Sequence, residues 1–333
     1  MSTVTAIVPA YERPDHIVTA IEGVLEQTYP NVHVLVGDDS SSDVVERAVA
    51  RFDPERVTYH RNRPALGAMR NWVDLIARAD TEFVASLNDD DFWEPEFLAR
   101  TVPAMLSDPN IAMSFSDVWY VDEAGRRLPR LSAFWSARSH RDQLPTGRLD
   151  LSSEELFRMI SVWNSPQPAY AAVLRRDAVG KIDFPSEADP CHDLWCSYRL
   201  WTSGYGFHYT NARLTNYRVH TGNLTNAGIG EAEDYIFAVM ERENLGREAL
   251  TDMRHRLART QFSRATGLAS VDTAAAQRQF SAAARGLTGW RGRVASTGAH
   301  SPLACDIVGR LKRFKDAAAK TSTARIFGEH SQR

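Results

Sequence analysis

The sequence is poor in cysteine, and this alone narrows the classes of protein to which it can belong. Its 333 residues include three cysteines, Cys191, Cys196 and Cys305. Such a sparse and odd-numbered set argues against a disulfide framework and predicts a reducing compartment. Cys191 and Cys196 also have no second Cys/His pair at zinc-finger spacing, which argues against a structural zinc site.

Long apolar runs and an excess of basic charge are missing as well. No apolar run approaches the roughly 20 residues that a membrane span needs, and the N-terminus lacks the basic and then apolar regions of a signal peptide. The 39 Lys and Arg against 42 Asp and Glu give a formal net charge of −3. Charge therefore gives no reason to expect a nucleic acid partner, and we expect a cytoplasmic protein.

Two glycine-rich motifs of nucleotide-binding enzymes are also absent. No G-x-G-x-x-G follows the first predicted strand, and no G-x-x-x-x-G-K-[ST] occurs anywhere in the chain. These motifs bring backbone N–H groups close to phosphates in dinucleotide-binding folds and in P-loop enzymes. Their absence disfavours both classes.

Short apolar segments alternate with amphipathic ones through the first third of the chain. The alternation predicts strands at residues 4–8, 32–36, 57–60 and 83–87, with helices between them. One such helix has the apolar face Ile17, Ala20, Ile21, Val24 and Leu25. Strands and helices alternating at short intervals are typical of an α/β fold with a mostly parallel sheet flanked by helices.

The rest of the chain is predicted in less detail. We expect a strand at 111–116, a hairpin at 118–128 that turns at 123–125, an irregular loop over 129–150, a strand at 169–174, a helix beginning at Asp193, and strands at 206–210 and 214–219. Beyond residue 228 the pattern is helical, with breaks near Gly246, near Gly267 and from Gly286 to Gly298. We therefore predict a sheet domain over 1–227, with halves 1–117 and 118–227, and a helical appendage over 228–333.

Three carboxylates follow the predicted strand at 83–87. Asp89, Asp90 and Asp91 repel one another, so each must be solvated, capped or neutralised. Ligands of open α/β sheets usually bind at such strand ends, and Mg²⁺ is typically held by one or two carboxylates together with substrate phosphates. One interpretation is thus a divalent cation shared with phosphate, and the other is a polar loop that leads into the helix after Pro95.

A second acidic pair, Asp38 and Asp39, closes the second predicted strand. In a parallel sheet both acidic groups lie along the same edge. A carboxylate that accepts the imide N–H of uracil or thymine, beside another that holds a metal ion on a diphosphate, would suit a nucleotide-sugar donor. Arg61, Arg63 and Arg70 can add positive charge near phosphates.

Six segments resemble the successive motifs of family 2 glycosyltransferases of the GT-A fold. In order they are Ile7–Arg13, Val36–Asp43, Gly67–Asn71, Leu87–Asp91, His192–Asp193 and Tyr217–His220. The resemblance runs from about Val4 to Asn226, roughly two thirds of the chain. It implies a Rossmann-like nucleotide-sugar-binding half over 1–117, an acceptor and catalytic half over 118–227, and inverting transfer of a sugar from a nucleoside diphosphate to an acceptor hydroxyl.

The resemblance also implies roles for individual residues. The nucleotide sugar would be bound by Pro9, Tyr11, Glu12, Asp39, Arg70 and Asp89. Within that set, Tyr11 would flank the base and Asp39 would accept its imide N–H. Asp90 would ligate Mn²⁺ or Mg²⁺, and His220 would either join it or pack as a core histidine. Asp193 would be the general base, with a helix N-cap as its alternative role.

Two residues depart from the family pattern, because Asn88 stands where the family often has Asp and His192 where it often has Glu. The second departure concerns the acceptor side. The acceptor can be a glycan, a lipid carrier, a protein or a small molecule. Sugar-stacking aromatic residues for it, if they are not simply core, would be Trp135, Trp163, Trp195 and Trp201.

The C-terminal part of the chain predicts a last, amphipathic helix. Apolar residues at 307, 308, 311 and 314 alternate with basic residues at 310, 312, 313 and 315. This pattern suits either weak contact with an anionic membrane surface or an ordinary amphipathic helix that closes the domain or forms a homodimer contact.

Two rival functions are also compatible with the sequence. They are a non-catalytic nucleotide-sugar-binding scaffold and a nucleotidyltransferase that makes sugar nucleotides.

Overall fold

A computed structural model of the chain describes residues 3–220, 230–269 and 272–312. The chain divides into two units, Met1–Ile236 and Phe237–Arg333. The domain boundary predicted between residues 227 and 228 lies outside the described residues.

The first unit is built around a nine-stranded sheet with the order β3-β2-β1-β4-β8-β6-β9-β5, and with β7 paired to β9. The strands are β1 (Val4–Ala10), β2 (Val32–Asp38), β3 (Val57–Arg61), β4 (Phe83–Ser86), β5 (Phe92–Trp93), β6 (Ile111–Val121), β7 (Gly147–Arg148), β8 (Ala172–Arg175) and β9 (Gly206–Arg218). Strands β1 to β4 pair in parallel, whereas β8 runs antiparallel to both β4 and β6. The carboxyl ends of β1 to β4 therefore share one edge of the sheet.

Helices of the first unit lie between these strands. They are α1 (Pro14–Leu25), α2 (Val44–Val49), α3 (Ala68–Arg78), α4 (Phe97–Ser107), α5 (Pro129–Arg138), α6 (Ser153–Arg158), α7 (Arg176–Val179) and α8 (His192–Thr202), with short 3-10 turns at Arg141–Gln143 and Ser186–Ala188 and a π-helical turn at Met159–Trp163. The core joins valines of β1 and β2 to the apolar face of α1. The predicted α/β class is confirmed.

The prediction of an irregular loop over 129–150 is wrong, because α5 occupies its first part. Pro129 stands at the helix start, a position that suits its fixed φ. The buried residues of α5 are Ser132 and Ser136, while Phe134 and Trp135 are 57% and 38% exposed. Because the usual burial of apolar and polar residues is reversed here, no apolar period marked the helix.

Two strand predictions are corrected as well. Strand β1 continues through Pro9 to Ala10, and its pairing with β4 ends at Ile7, so no β4 partner needs the N–H that Pro9 lacks. The two strands predicted at 206–219 are the single strand β9, which stays paired with β6 through register shifts between Ser116 and Val118. The predicted hairpin turn forms, but its return leg pairs only at Arg127 with Val121.

The second unit is helical among its described residues, as predicted. Its helices are α10 (Ala249–Leu268), α11 (Thr273–Ala284), α12 (Gly289–His300) and α13 over residues 302–312, and α9 (Gly230–Glu243) precedes them. The break predicted from Gly286 to Gly298 is wrong over most of its length. Gly298 lies inside α12, where a Cβ would be 2.6 Å from the ring of Phe280, so the close packing of α12 against Phe280 requires a glycine and not a helix break. Among the described helices, none has the length and apolar character of a membrane span.

Candidate active site

Three buried carboxylates converge with one arginine at the carboxyl end of β4. Arg13 Nη1 lies 2.8 Å from Asp89 Oδ1 and 3.3 Å from Asp90 Oδ2. The backbone N–H of Tyr11 donates to Asp89 Oδ2 at 2.9 Å. The end of β1 thus supplies both a guanidinium and an amide to the acids that follow β4.

The end of β9 approaches the same acids from the other side. His220 Nε2 is 2.9 Å from Asp90 Oδ2, and the backbone N–H of Arg218 donates to Asp91 Oδ1 at 2.8 Å. The remaining oxygen of Asp91 accepts a hydrogen bond from the side-chain amide of Asn88 at 3.0 Å. An ionised Asp at position 88 could not donate this bond, which gives a physical reason for Asn at the position that departs from the family pattern.

Negative charge in this cluster exceeds the local positive charge. Burial and the neighbouring Asp90 raise the pKa of Asp89 to about 7, although Arg13 and the Tyr11 amide oppose the rise. Burial and Asp90 also raise the pKa of Asp91. Packing these acids together therefore costs free energy that a further cation would relieve.

A divalent cation fits this donor set. The predicted pair, Asp90 and His220, is brought into direct contact. A carboxylate suits Mg²⁺ and Mn²⁺, and imidazole is a common ligand of divalent transition metals. Within the described parts of the chain, no group of three or more His, Cys, Asp or Glu side chains is arranged to hold a metal by itself. The remaining ligands would have to come from substrate oxygens or water, as is usual for phosphate-bound Mg²⁺.

Asp39 organises the segment that leads into α3. Its Oδ1 accepts hydrogen bonds from the Asn62 side chain at 2.9 Å and the Leu66 N–H at 3.0 Å, and its Oδ2 accepts from the Gly67 N–H at 2.9 Å. Arg70 is exposed in the first turn of α3, just beyond this segment. The predicted base-binding carboxylate therefore holds the segment that leads into the helix bearing Arg70, the predicted nucleotide-contacting arginine.

A close approach at Gly37 supports this arrangement. The side chain of Asn71 donates to Gly37 O at 2.8 Å and accepts from the Asn62 amide at 3.1 Å. A Cβ on Gly37 would lie 2.4 Å from Asn71 Oδ1. Because position 37 has no side chain, Asn71 can lie close enough to accept the hydrogen bond from Asn62, whose amide also donates to Asp39.

We expect Gly37→Ala to lower the free energy of unfolding by about 1–3 kcal/mol, since the methyl group forces Asn71 away. Urea unfolding followed by circular dichroism measures the change. Gly23→Ala in α1 is the matched control, because its Cβ would have only ordinary contacts at 3.5 Å and a helical Gly→Ala change stabilises by roughly 0.5–1 kcal/mol. Equal effects of the two substitutions would contradict the prediction.

Glu12 holds the loop that follows β2. Its carboxylate accepts hydrogen bonds from the backbone N–H and the hydroxyl of both Ser41 and Ser42. These bonds, those from the Ser42 and Ser41 hydroxyls foremost, lower the pKa of Glu12 to about 2. Arg61 donates to carbonyl oxygens of the same loop. Glu12 therefore fixes a loop beside Asp39.

Tyr11 and Pro9 flank these groups on β1 and just beyond it. The side chain of Tyr11 is 58% exposed, so it is not part of the core. Pro9 is partly buried and pairs with Gly37 of β2. An exposed ring at this edge can lie against a planar ligand.

Asp193 is the second residue of α8 and is separate from the acidic cluster. The N-cap of α8 is Cys191 and not Asp193. The Leu194 N–H donates to Asp193 Oδ1 at 2.7 Å, and the other oxygen has no hydrogen-bond partner among the described residues. This half-buried carboxylate thus keeps one oxygen able to accept a proton.

A chain of contacts connects Asp193 to the same sheet edge. The ring of the adjacent His192 lies 5.2 Å from that of Trp72. The indole N–H of Trp72 donates to Ser86 Oγ at 2.8 Å, at the end of β4. The N-terminus of α8 is therefore anchored through α3 to the strand that bears the three acids.

His192 is buried, and its Nδ1 has no hydrogen-bond partner in the part of the chain that the structure describes. Burial lowers the pKa of His192, with Asp193 and Asp189 opposing the shift. The unfolded chain protonates this imidazole near pH 6.5, whereas the folded chain resists protonation until a lower pH. Stability contributed by the neutral imidazole is thus present above pH 6.5 and is lost as the pH falls toward the folded pKa.

We expect His192→Gln to weaken the fall in stability between pH 7.5 and 5.5. One histidine contributes at most about 1.4 kcal/mol per pH unit to this slope. Urea unfolding at both pH values measures it, with His255→Gln as the control because His255 is exposed on α10. If both variants keep the wild-type slope, the buried imidazole is not the responsible group.

Three arginines important to the arrangement were assigned no role from the sequence. Arg13 pairs with Asp89 and Asp90, and Arg218 ties β9 to both Asp90 and Asp91. Arg141 is fully buried, and its Nε donates to Asp117 Oδ1 at 2.8 Å. Charge alone indicates that such arginines are needed, because clustered buried acids require cations. The sequence does not indicate which arginines provide the positive charge.

Comparisons with known proteins identify the family and the fold. The sequence model described as Glycosyl transferase family 2 matches residues 5–182. The chain is 25% identical over 228 residues, 68% of this chain and 80% of the relative, to the Escherichia coli protein named UDP-Glc:alpha-D-GlcNAc-diphosphoundecaprenol beta-1,3-glucosyltransferase WfaP. It is 36% identical over 159 residues, 46% of this chain and 43% of the relative, to the succinoglycan biosynthesis protein ExoO of Rhizobium meliloti.

A solved structure shares the fold. S. aureus TarS 1-349 in complex with UDP-GlcNAc superimposes with a TM-score of 0.62 over 94% of this chain and 92% of that chain, at 14% sequence identity. The likeness at this identity concerns the fold, a GT-A sheet flanked by helices. Because the family match spans more than half of the sequence, the chain belongs to glycosyl transferase family 2 and is a glycosyltransferase of the GT-A fold.

Proposed function

We propose that the chain is a metal-dependent, inverting glycosyltransferase that moves a sugar from a UDP- or dTDP-sugar to an acceptor hydroxyl. The observation that supports this most is the meeting of Asp89, Asp90, Arg13 and His220 at the edge where Asp39 also lies. The parallel strands β1, β2 and β4 bring Arg13, Asp39 and the acids Asp89 and Asp90 to one edge of the sheet, and the end of β9 adds His220. Open α/β sheets bind ligands at such an edge.

On the donor side, the exposed ring of Tyr11 lies against the base and Asp39 accepts its imide N–H. Asp39 already accepts three hydrogen bonds, and a carboxylate has about four lone-pair sites, so one more bond is possible. Arg70 contacts the nucleotide from α3. Asp89 accepts hydroxyl hydrogen bonds from the ribose or the sugar, and Pro9 and Glu12 shape the walls of the site.

Asp90 and His220 would hold the divalent cation. When bound, the cation neutralises the charge that develops on the departing diphosphate. Arg13, which lies within 3.3 Å of both Asp89 and Asp90, adds a fixed positive charge beside it. The protein thereby provides a leaving-group site whose positive charges are in place before the reaction.

Asp193 acts as the general base on the acceptor side. Its unpartnered oxygen takes the proton of the acceptor hydroxyl while that hydroxyl oxygen bonds to the anomeric carbon. The bond from that carbon to the diphosphate oxygen breaks in the same step, and its electron pair leaves with the diphosphate. Attack from the face opposite the leaving group inverts the anomeric configuration. An alcohol is too weak an acid to ionise beforehand, so proton transfer and attack occur together.

A lipid-linked sugar is the acceptor class that we propose. The relative WfaP is named for a diphosphoundecaprenol-linked acceptor and for UDP-Glc as donor. In the chain itself, four aromatic rings form a row in space. The row leads from Tyr170 to Tyr217, Tyr120 and Trp135, and the centroids of neighbouring rings are 5.0, 5.3 and 6.0 Å apart. Trp135 is exposed at the end of this row, next to Phe134, so a sugar ring can stack there. Trp195, in contrast, is buried.

Thermal unfolding with a panel of nucleotides tests the donor assignment. UDP, dTDP, GDP and ADP, each with Mn²⁺ or with EDTA, are compared with UDP-glucose and UDP-N-acetylglucosamine. A ligand at 100 times its dissociation constant stabilises the folded state by about 2.7 kcal/mol. We expect the largest shift with UDP or dTDP and only with Mn²⁺. A rise in melting temperature with GDP or ADP, and none with UDP or dTDP, would overturn the donor assignment. A rise with UDP that persists in EDTA would overturn the metal dependence.

A further inference from the structure

Helix α13 presents an apolar stripe to solvent. Leu303, Ile307 and Leu311 are 70%, 50% and 65% exposed. Their spacing of four residues places them along one face of the helix. Large aliphatic side chains on a protein surface are usually scattered singly. A contiguous row of three is uncommon and often belongs to an interaction site.

The other face of α13 already secures the helix to its unit. Cys305 is fully buried and its thiol donates to Gly298 O, and Val308 packs against the same cluster as Phe280. Helix α13 therefore packs against its unit without burying Leu303, Ile307 and Leu311. The stripe is a second, separate apolar face.

The two units differ strongly in net charge. Unit Phe237–Arg333 contains 17 Lys and Arg against 8 Asp and Glu, a net charge of +9, whereas unit Met1–Ile236 contains 22 against 34, a net charge of −12. On α13 itself, Arg310 is paired with Asp306 at 2.8 Å, and Lys312 adds a further positive charge. A helix with aliphatic residues on one face and basic residues beside them is typical of segments that lie in the interface of an anionic bilayer.

We propose that the stripe of α13 docks on the surface of a membrane that contains anionic phospholipids. The leucine and isoleucine side chains enter the boundary between headgroups and acyl chains, and the basic charge of the second unit is attracted to the headgroups. Nucleic acid would use the charge but not the apolar stripe. A second copy of the chain would need about 800 Å² per partner for a stable dimer, far more than three side chains supply.

A second exposed side chain of this unit has the chemistry of a membrane–water interface. Trp290 is 59% exposed on α12, with Arg291 over its ring at 5.1 Å. Tryptophan is enriched at membrane–water interfaces because its ring is apolar and its N–H is polar. The inference goes beyond the proposed function, which concerns residues of the first unit, but a lipid-linked acceptor would be presented at the same surface.

Vesicle sedimentation of the full chain, without donor or acceptor, tests the proposal. The vesicles contain phosphatidylcholine alone or phosphatidylcholine with one quarter phosphatidylglycerol. We expect binding to the anionic vesicles, weakened by added salt. The triple variant Leu303→Gln, Ile307→Gln, Leu311→Gln should lower the partition coefficient at least about tenfold, since each side chain loses its apolar transfer. Arg310→Gln and Lys312→Gln should each lower it about fivefold.

The control replaces two exposed leucines elsewhere, Leu106→Gln and Leu245→Gln, which are 46% and 75% exposed. This variant should bind vesicles like the wild type. The proposal is overturned if the triple variant binds like the wild type, if neutral vesicles bind equally well, or if light scattering shows that the triple variant changes the oligomeric state instead. Because no substrate is present, such a result would leave the proposed glycosyl transfer untouched.

Discussion

Replacing Asp193 by Asn is expected to lower the turnover number about 10²–10⁴-fold, the usual contribution of a positioned general base. The amide cannot accept the proton of the attacking hydroxyl, although it has nearly the same size. Donor binding should be unchanged, because Asp193 has no contact with the acidic cluster. Release of UDP from UDP-glucose and UDP-N-acetylglucosamine, with a polyprenyl-diphosphate-linked N-acetylglucosamine as acceptor, measures the rate, and thermal shift with UDP and Mn²⁺ measures the binding.

Asp183→Asn provides the matched comparison for this experiment. Asp183 is exposed ten residues earlier, and its backbone oxygen holds the Trp195 indole. The substitution should leave both rate and affinity at the wild-type values. If Asp193→Asn also kept full turnover, either another group would be the base or the chain would bind sugar nucleotides without transferring the sugar.

The second large effect is expected from Asp90→Asn. Asp90 contacts both His220 and Arg13, and its carboxylate is the donor through which we propose that the cation is held. Loss of that charge should weaken Mn²⁺-dependent binding of UDP by at least about 10- to 100-fold, since even residues that only orient metal ligands contribute this much. Calorimetric titration of UDP with and without Mn²⁺ measures the change.

Two further variants make the Asp90 result interpretable. Asp80→Asn alters an exposed acid outside the cluster and should have no effect on UDP binding. His220→Gln should weaken Mn²⁺-dependent binding too, and by less, because imidazole contributes no negative charge. Wild-type Mn²⁺ dependence in both Asp90→Asn and His220→Gln would mean that the cation is held elsewhere.

The parts of the molecule that the sequence predicts well depend on local pattern. Strands β1 and β4 have neighbouring strands on both sides and are buried on both faces, so they appear in the sequence as continuous apolar runs. Asp39 directly follows β2 and Asp89 lies shortly after the end of β4, so the position of these strand ends brings both to one edge. These features need no knowledge of distant contacts.

The parts that were missed depend on pairings across the chain. Arg13 and Asp89 are 76 positions apart, and nothing near either residue identifies the other as its partner. Helix α5 was missed for a related reason. Its inward side chains are serines, and Ser136 donates to Asp117, which also binds Arg141. A polar interior of this kind is stabilised by specific hydrogen bonds and leaves no apolar period in the sequence.

The three residues that follow β1 have a consequence for engineering donor preference. Tyr11 and Arg13 hold the acids after β4, while Glu12 between them holds the serine loop after β2. The site that we propose for the base and the site that we propose for the phosphates would therefore both be adjusted by a single tripeptide. A substitution that reshapes the serine loop to accept a purine would pull on Glu12 and shift the phosphate contacts as well, so a change of base would require compensating changes after β4.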